Sequence, residues 1–281
     1  RTTSSAASDV YKRQQLQFGN EVVNIGDASP GIIRRRDLKQ LKYGVSRANN
    51  LICISKHTLN AAKSNFPSVK STYVPSGIDS ARYHPDNQQL VDISLPSACN
   101  LLVVGSNDPR KRMKFLFEVI AKLPDEVKQG IHIHHVGNSS ANSGIPQISE
   151  LANSLGFTNL TIHGSSVSDE YLMTLRIKCD ALLVPSVSEG FGYPPIESMA
   201  AGMKVICADL PSHNELMPDN SCIPADNADE WMEAITTLHN DYISTNGQSN
   251  QPQKDLIEHA KQYDNSVYCQ RLSEAYSSFV D

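Results

Sequence analysis

The sequence predicts an α/β fold built on a doubly wound parallel sheet. Three features of the 281 residues carry that expectation. Short apolar runs alternate with amphipathic stretches of helical spacing along most of the chain. The runs are apolar almost throughout instead of at every second residue, as strands covered on both faces require. Several of them also end on Gly, His or Ser, which places small and polar residues where such sheets bind ligands, outside the carboxyl ends of the strands.

Taken in order, Arg1 to Gln14 (RTTSSAASDVYKRQ) lacks an initiator Met, an apolar core and any periodicity. It is therefore set aside as a non-native or disordered tail and not read as a signal peptide. RRRDLKQLKYGVSRANN reads as a basic helix with Leu38, Leu41 and Val45 on one face. LICIS is a buried strand, HTLNAAKSNF a helix and STYVPSG a second strand. GIDSARYHPDNQQLVDISLPSA is polar, rich in Pro and Asp, and aperiodic, the composition of an interdomain linker. The regular series then begins. Strand 100–106 precedes a helix with Met113, Leu116, Phe117 and Ile120 in one stripe. Strand 131–137 precedes a helix around Pro146 to Leu155. Strand 159–164 precedes a helix opened by Ser168, Asp169 and Glu170. Strand 180–186 runs into SEGFG and the helix PPIESMAAG. Strand 204–209, a turn, a further strand at SCIP and the helix ADEWMEAITTLHN close the series, and two helices follow from about Gln251. Gly105, His163–Gly164 and Ser186–Glu189 all fall at strand ends, so three loops converge on one mouth.

Composition narrows the chemistry. A net charge of -5 argues against general nucleic-acid binding. The six cysteines (53, 99, 179, 207, 222 and 269) include no CxxC pair and read as free thiols. No apolar run is long enough to span a bilayer. His132 and His134 share one strand face, but no third ligand is spaced nearby, so a structural role outweighs a metal site. Trp231 reads as helix packing. His213, in PSHNEL, is explained equally by reach into the cleft and by a helix start. No Ser-His-Asp order supports a hydrolase.

The segment SVSEGFGYPPIESMAAGMKVI is the most informative. Gly190-Phe191-Gly192 leaves backbone bare for a ligand, and Pro194-Pro195 sets a helix start whose free N–H groups suit phosphate. Glu189 and Glu197 flank that turn and suit hydroxyl groups, because carboxylates accept charge-assisted hydrogen bonds. One loop thus offers both halves of a sugar-nucleotide site. Arg110-Lys111-Arg112, after a strand ending in Gly105, adds cations for phosphate.

With these motifs in place, the chain resembles the C-terminal, donor-binding half of a retaining GT-B-fold glycosyltransferase of the group 1 family. The resemblance runs from about Leu38 to His239. VGSNDPRKRMKFLFEVI resembles the family's first strand–loop–helix unit, and IHGSSVSDEYLMTLRIKCDALLVPSVSEGFGYPPIESMAAGMKVICADLPSHNEL its donor half. RANNLICISKHTLNAAKSNFPSVKSTYVPSGIDSARYHP resembles the close of an N-terminal domain and its linker. This implies residues 15–78 as the end of an acceptor-binding domain, 79–98 as linker, 99–245 as a Rossmann-like nucleotide-sugar domain and 246–281 as helices returning to the N-terminal domain. It also implies roles. Glu189 bonds the donor sugar, and Gly190, Phe191, Gly192 and Tyr193 face sugar and diphosphate. Glu197 bonds the ribose, and Lys111, helped by Arg110, neutralises the departing diphosphate. Many relatives carry Arg or Lys where this chain has Ser106, which implies either a weaker phosphate clamp or one supplied by Arg112. The implied reaction is hexosyl transfer, of mannose or glucose type, from a nucleotide-sugar to a hydroxyl on a saccharide or lipid-linked acceptor, with retention, without cofactor or required metal. Two alternatives stay open: donor binding without transfer, because only the last elements of the acceptor domain are present, and a GT-B sugar-nucleotide epimerase. The implied location is cytoplasmic. Arg34, Arg35 and Arg36 admit peripheral contact with an anionic membrane, or a solvated helix start.

Overall fold

The computed structural model describes residues 43–86, 90–141 and 146–280. The tail at 1–14, the three arginines at 34–36 and most of the expected basic helix lie outside the described residues. The chain enters through β1 (Asn50–Cys53), α1 (Lys56–Asn65) and β2 (Lys70–Tyr73), the strands pairing in parallel. Ser55 opens α1 by accepting from the Thr58 amide at 3.0 Å. A helical turn, α2 (Ser80–Tyr83), follows within the expected linker. The remaining extended stretch is pinned to the body: the Val91 amide donates to Thr174 Oγ1 at 3.0 Å, and Lys178 Nζ donates to the Ile93 carbonyl at 2.7 Å.

The main sheet then assembles from β3 (Cys99–Val104), β4 (Ile131–Val136), β5 (Leu160–Gly164), β6 (Ala181–Val184) and β7 (Lys204–Cys207). All four pairings are parallel, in the order β5-β4-β3-β6-β7. Successive strands therefore step one way from β3 to β5, then reverse and step the other way through β6. The reversal lies between β3 and β6, and that is where a doubly wound sheet opens its ligand crevice.

Helices α3 (Met113–Ala121), α4 (Asp125–Gly130) and α5 (Ile148–Ser154) precede α6 (Asp169–Lys178), α7 (Tyr193–Ala200), α8 (Pro211–Leu216) and α9 (Ala228–Ser244). They bury two cores, one on each face of the sheet. Leu101, Val103 and Leu183 meet α3, α5 and α9 on one side, whereas Leu102, Leu182 and Val184 meet α6 and α7 on the other. Alternating strand residues thus feed opposite cores, which is why the strands are apolar throughout. Trp231 sits fully buried in the first core, and its Nε1 donates to the Pro224 carbonyl at 3.1 Å.

The expected strand at SCIP is corrected. Ile223 forms one isolated bridge to Ala208, and Pro218 and Pro224 bracket the segment, removing donors that a longer ladder needs. The chain closes with α10 (Lys254–Ala260), a 3₁₀ turn (Lys261–Tyr263) and α11 (Asn265–Val280). Helix α11 runs back to the N-terminal elements, where the Lys70 ammonium donates to the Ser278 carbonyl. Ile78 and Asp264 pair in parallel where the chain enters and leaves the main body. Among the described residues, no helix is long and apolar enough to cross a membrane.

Candidate active site

The reversal point between β3 and β6 is occupied by an ion cluster. After β3, Gly105 leads into a 3₁₀ turn (Pro109–Lys111), whose Asp108 caps the Arg110 amide at 3.1 Å. After β6, Ser186 leads to Glu189. The two loops are tied at the backbone, where the Val187 amide donates to the Arg110 carbonyl at 2.9 Å. Lys111 Nζ lies 2.5 Å from Glu189 Oε1 and Arg110 Nη1 lies 2.9 Å from Glu189 Oε2. Ser186 Oγ also donates to Oε1, at 2.9 Å. Arg110 further reaches the Ser188 carbonyl at 3.2 Å.

Glycine makes this packing feasible. Gly105 has φ +150, and a Cβ there would meet Lys111 Cε at 3.1 Å, so the lysine stem crosses the strand end over bare backbone. Burial pushes the Glu189 carboxyl up, but Lys111 and then Arg110 outweigh it and hold the group at about 2. Glu189 is thus a carboxylate and both basic partners face it, with little water to screen them.

The turn after Glu189 presents unpaired backbone. Gly190, Phe191 and Gly192 are buried, and among the described residues no acceptor meets their N–H groups. Gly192 caps α7 at φ +118, and Pro194 and Pro195 follow it in the first turn. Pro194 and Pro195 carry no N–H, so the donors come from the Gly190–Gly192 turn and the helix start adds its positive dipole end. Phe191 points into the core and anchors the turn, edge-on to Tyr193 and Tyr263. Tyr193 bonds Ser76 of the N-terminal part.

Glu197, one turn into α7, stands apart from Lys111 and Arg110 among its recorded partners. Arg176, buried on α6, donates to its Oε2, and Tyr83 Oη of α2 donates to its Oε1 at 3.0 Å. The Arg176 guanidinium also lies 5.3 Å from the Tyr83 ring centroid. Arg112 does not join the cluster. It adopts φ 54, stacks on Phe115 at 4.0 Å, and bonds the Ala225 carbonyl at 2.5 Å and Asp226 at 2.7 Å. The expectation that Arg112 replaces a cation at Ser106 is therefore corrected, because the left-handed turn at Arg112 swings its side chain toward the β7–α9 side.

His132 and His134 belong to a polar chain at the β4–β5 edge. Asn100 Nδ2 donates to two carbonyls, so its Oδ1 receives His134 Nε2–H at 2.9 Å. His134 Nδ1 then accepts from His163 Nε2–H at 3.0 Å, and His163 Nδ1 from Tyr171 Oη–H at 3.1 Å. Burial pushes His134 down to about 3 and His163 down as well, which keeps both rings neutral. His132 bonds Thr161 Oγ1 at 2.8 Å. Among the described residues, no group of three or more His, Cys, Asp or Glu could hold a metal ion.

Sequence reasoning placed Ser186 at the mouth without a role, did not pick out Tyr83 or Arg176, and left His213 undecided. His213, on α8, is wholly buried with Nδ1 2.8 Å from the Ala208 carbonyl. Arg176 carries the one readable signal, a charge amid the apolar residues of α6.

A family model described as "Glycosyl transferases group 1" matches residues 99–263. Among curated relatives, the O-antigen chain mannosyltransferase RfbU of Salmonella typhimurium is 38% identical over 73 residues, 26% of this chain and 21% of that protein. The MMP alpha-(1->4)-mannosyltransferase of Mycolicibacterium hassiacum is 26% identical over 53% of this chain and 34% of its own length. The chain thus spans well under half the length of these relatives. Among solved structures, the sucrose-phosphate synthase of Thermosynechococcus elongatus aligns with TM-score 0.71 at 19% identity, covering 88% of this chain and 62% of that one. Anabaena HepE in complex with UDP and glucose aligns with TM-score 0.71 at 18% identity, covering 87% and 67%. At these identities the structural likeness establishes the fold alone.

Proposed function

From the premise that the chain belongs to the glycosyl transferases group 1 family, we propose that it carries the donor site of a retaining hexosyltransferase. The observation that carries this reading is the Glu189–Lys111–Arg110 cluster, set at the sheet's reversal point beside a turn whose N–H groups meet no acceptor among the described residues. A nucleotide-sugar diphosphate satisfies both features. It takes the cations from Glu189 and the turn's N–H groups as well, which leaves Glu189 to accept hydrogen bonds from the sugar's hydroxyls.

In this reading Lys111 and Arg110 stabilise charge as the diphosphate departs, and they act as prepositioned donors inside a closed site. The oxocarbenium-like sugar lies beside Glu189, and the acceptor hydroxyl attacks from the face the diphosphate leaves. Charge stabilisation falls to side chains and requires no metal. Glu197 serves the ribose. Among the described residues each of its two oxygens accepts one hydrogen bond, and a carboxylate oxygen can accept more than one. The donor is a hexose nucleotide and the acceptor a saccharide or lipid-linked hydroxyl.

A second reading is that these residues bind the donor without transferring it, since the Glu189, Lys111 and Arg110 cluster needs no acceptor to hold a diphosphate. One experiment separates the two. UDP-, GDP- and ADP-hexoses are titrated into the chain by calorimetry, and the products are assayed with and without simple glycoside acceptors. Binding with transfer supports the enzyme, binding alone supports the second reading, and binding of no nucleotide-sugar overturns both.

A further inference from the structure

Among the described residues, His213 is a buried polar group beside this site that the proposed reaction leaves without a task. Its side chain is 0% exposed. The Ala208 carbonyl, 2.8 Å away, can only accept, so Nδ1 bears a hydrogen and donates it. Nε2 then carries a lone pair, and among the described residues no partner meets it. The ring edge next to that atom lies against the donor turn: a Cβ on Gly192 would stand 3.5 Å from His213 Cδ2. The charged groups acting on the ring are Glu189, from the loop after β6, and Lys111, from the turn after β3.

Resting on the donor-site reading above, we propose that His213 is a positioning residue for Glu189 that takes up a proton at Nε2 when the nucleotide-sugar binds. In the free site, Lys111 and Arg110 supply two positive charges to one carboxylate. The diphosphate brings two negative charges and draws those cations to itself. Glu189, nearly enclosed, then has only neutral donors, the Ser186 hydroxyl and the sugar's hydroxyls, and a buried carboxylate without a counter-charge is strongly destabilised. His213 is the neighbour able to become a cation.

Burial is what chiefly holds the ring below the ordinary histidine value. Ala208 and Glu189 favour its charged form, and Lys111 opposes it. Binding removes that opposition, by giving Lys111 an anionic partner, and strengthens the pull of an unneutralised Glu189. The proton comes from solvent to the free lone pair, so the Nδ1–H bond to Ala208 survives the change. The imidazolium then holds Glu189 in place as its former partners turn to phosphate. Because the bound-state proton affinity is the higher one, donor affinity gains as pH falls through the bound-state value and levels off below the free-state value.

The test is calorimetry of the whole chain with a UDP-hexose, run in pairs of buffers of unequal ionisation enthalpy from about pH 5 to 8. An intact sugar nucleotide is needed, because free nucleoside diphosphates titrate near neutrality themselves. Net uptake of a fraction of a proton per donor is expected. In His213→Asn, whose amide can keep the Ala208 bond, the uptake disappears and affinity loses that part of its pH dependence. If His213→Asn lowers the unfolding midpoint, His213→Gln gives the same readout. Buffer-independent heats in the wild type, or uptake that persists in both variants, would overturn the proposal while leaving the donor-site reading intact. A uniform loss of affinity at every pH would reduce His213 to packing. Absence of donor binding would overturn the function and this inference together.

Discussion

Glu189 and Lys111 form the contact on which the site depends, and each has a separable signature. Glu189→Gln or Lys111→Ala removes one charge-assisted contact worth about 1.5–3 kcal/mol, roughly 10- to 100-fold in donor affinity or turnover by calorimetry or rate assay. The pH dependence has a definite sign. With its carboxyl lowered to about 2, Glu189 contributes stability that is present above its unfolded value and lost as pH falls toward 2. Acid denaturation followed by circular dichroism should therefore be shallower below about pH 4 in Glu189→Gln than in the wild type. Gly192 is the second sensitive position. Alanine there adopts φ +118 and meets Leu216 Cδ1 at 2.8 Å, a strain on the order of 1–3 kcal/mol that a lowered unfolding midpoint would show. Glu189, Lys111 and the glycine turn were legible because they lie within short stretches of chain that carry their own chemistry. Tyr83 and Arg176 were not, since they meet Glu197 across 114 and 21 residues, and those separations leave no local pattern.

Among the elements, the parallel strands and the helices between them followed from apolar periodicity. The departures have local causes. Helix α3 begins only at Met113, because Arg112 turns left-handed and Pro109–Lys111 coil as 3₁₀. Helix α4 went unread, since six residues ending in Gly carry too little periodicity to register. The short α8 does more than its length suggests. Its Glu215 accepts from the Lys56 amide at 2.7 Å and the His57 amide at 3.0 Å, capping α1 from across the chain. The same helix supports the donor turn through Leu216 and His213. Glu215→Ala should lower stability by about 1 kcal/mol, measured by chemical denaturation, with α1 amides exchanging faster than those of β3. Retention of wild-type exchange in α1 would refute that capping role.

For the whole molecule, the sheet order and the mouth at its reversal were foreseeable from connection rules, because short right-handed crossovers leave few alternatives. The seam between the N-terminal elements and the main body was not, as it is written in polar contacts. Asp264 accepts from the Ser80 hydroxyl and the Ser266 hydroxyl at 2.6 Å each, and these bonds hold its carboxyl below the ordinary range. Asp264→Ala should increase hydrogen exchange at residues 78–80 and 264–266 while the main sheet keeps its protection. That seam also settles how the molecule answers cutting. The chain enters the main body at Ile78 and leaves it at Asp264, the two passages lying side by side: the Ile78 amide donates to the Tyr263 carbonyl and the Asn265 amide to the Ile78 carbonyl, each at 2.8 Å. A single nick by protease in either passage therefore leaves the other as an unbroken tether, so the fragments should co-migrate under native conditions and part only in denaturant. The N-terminal elements and α11 are thus joined to the main body by two adjacent passages at one place, with Glu215 and Tyr193 adding contacts away from it.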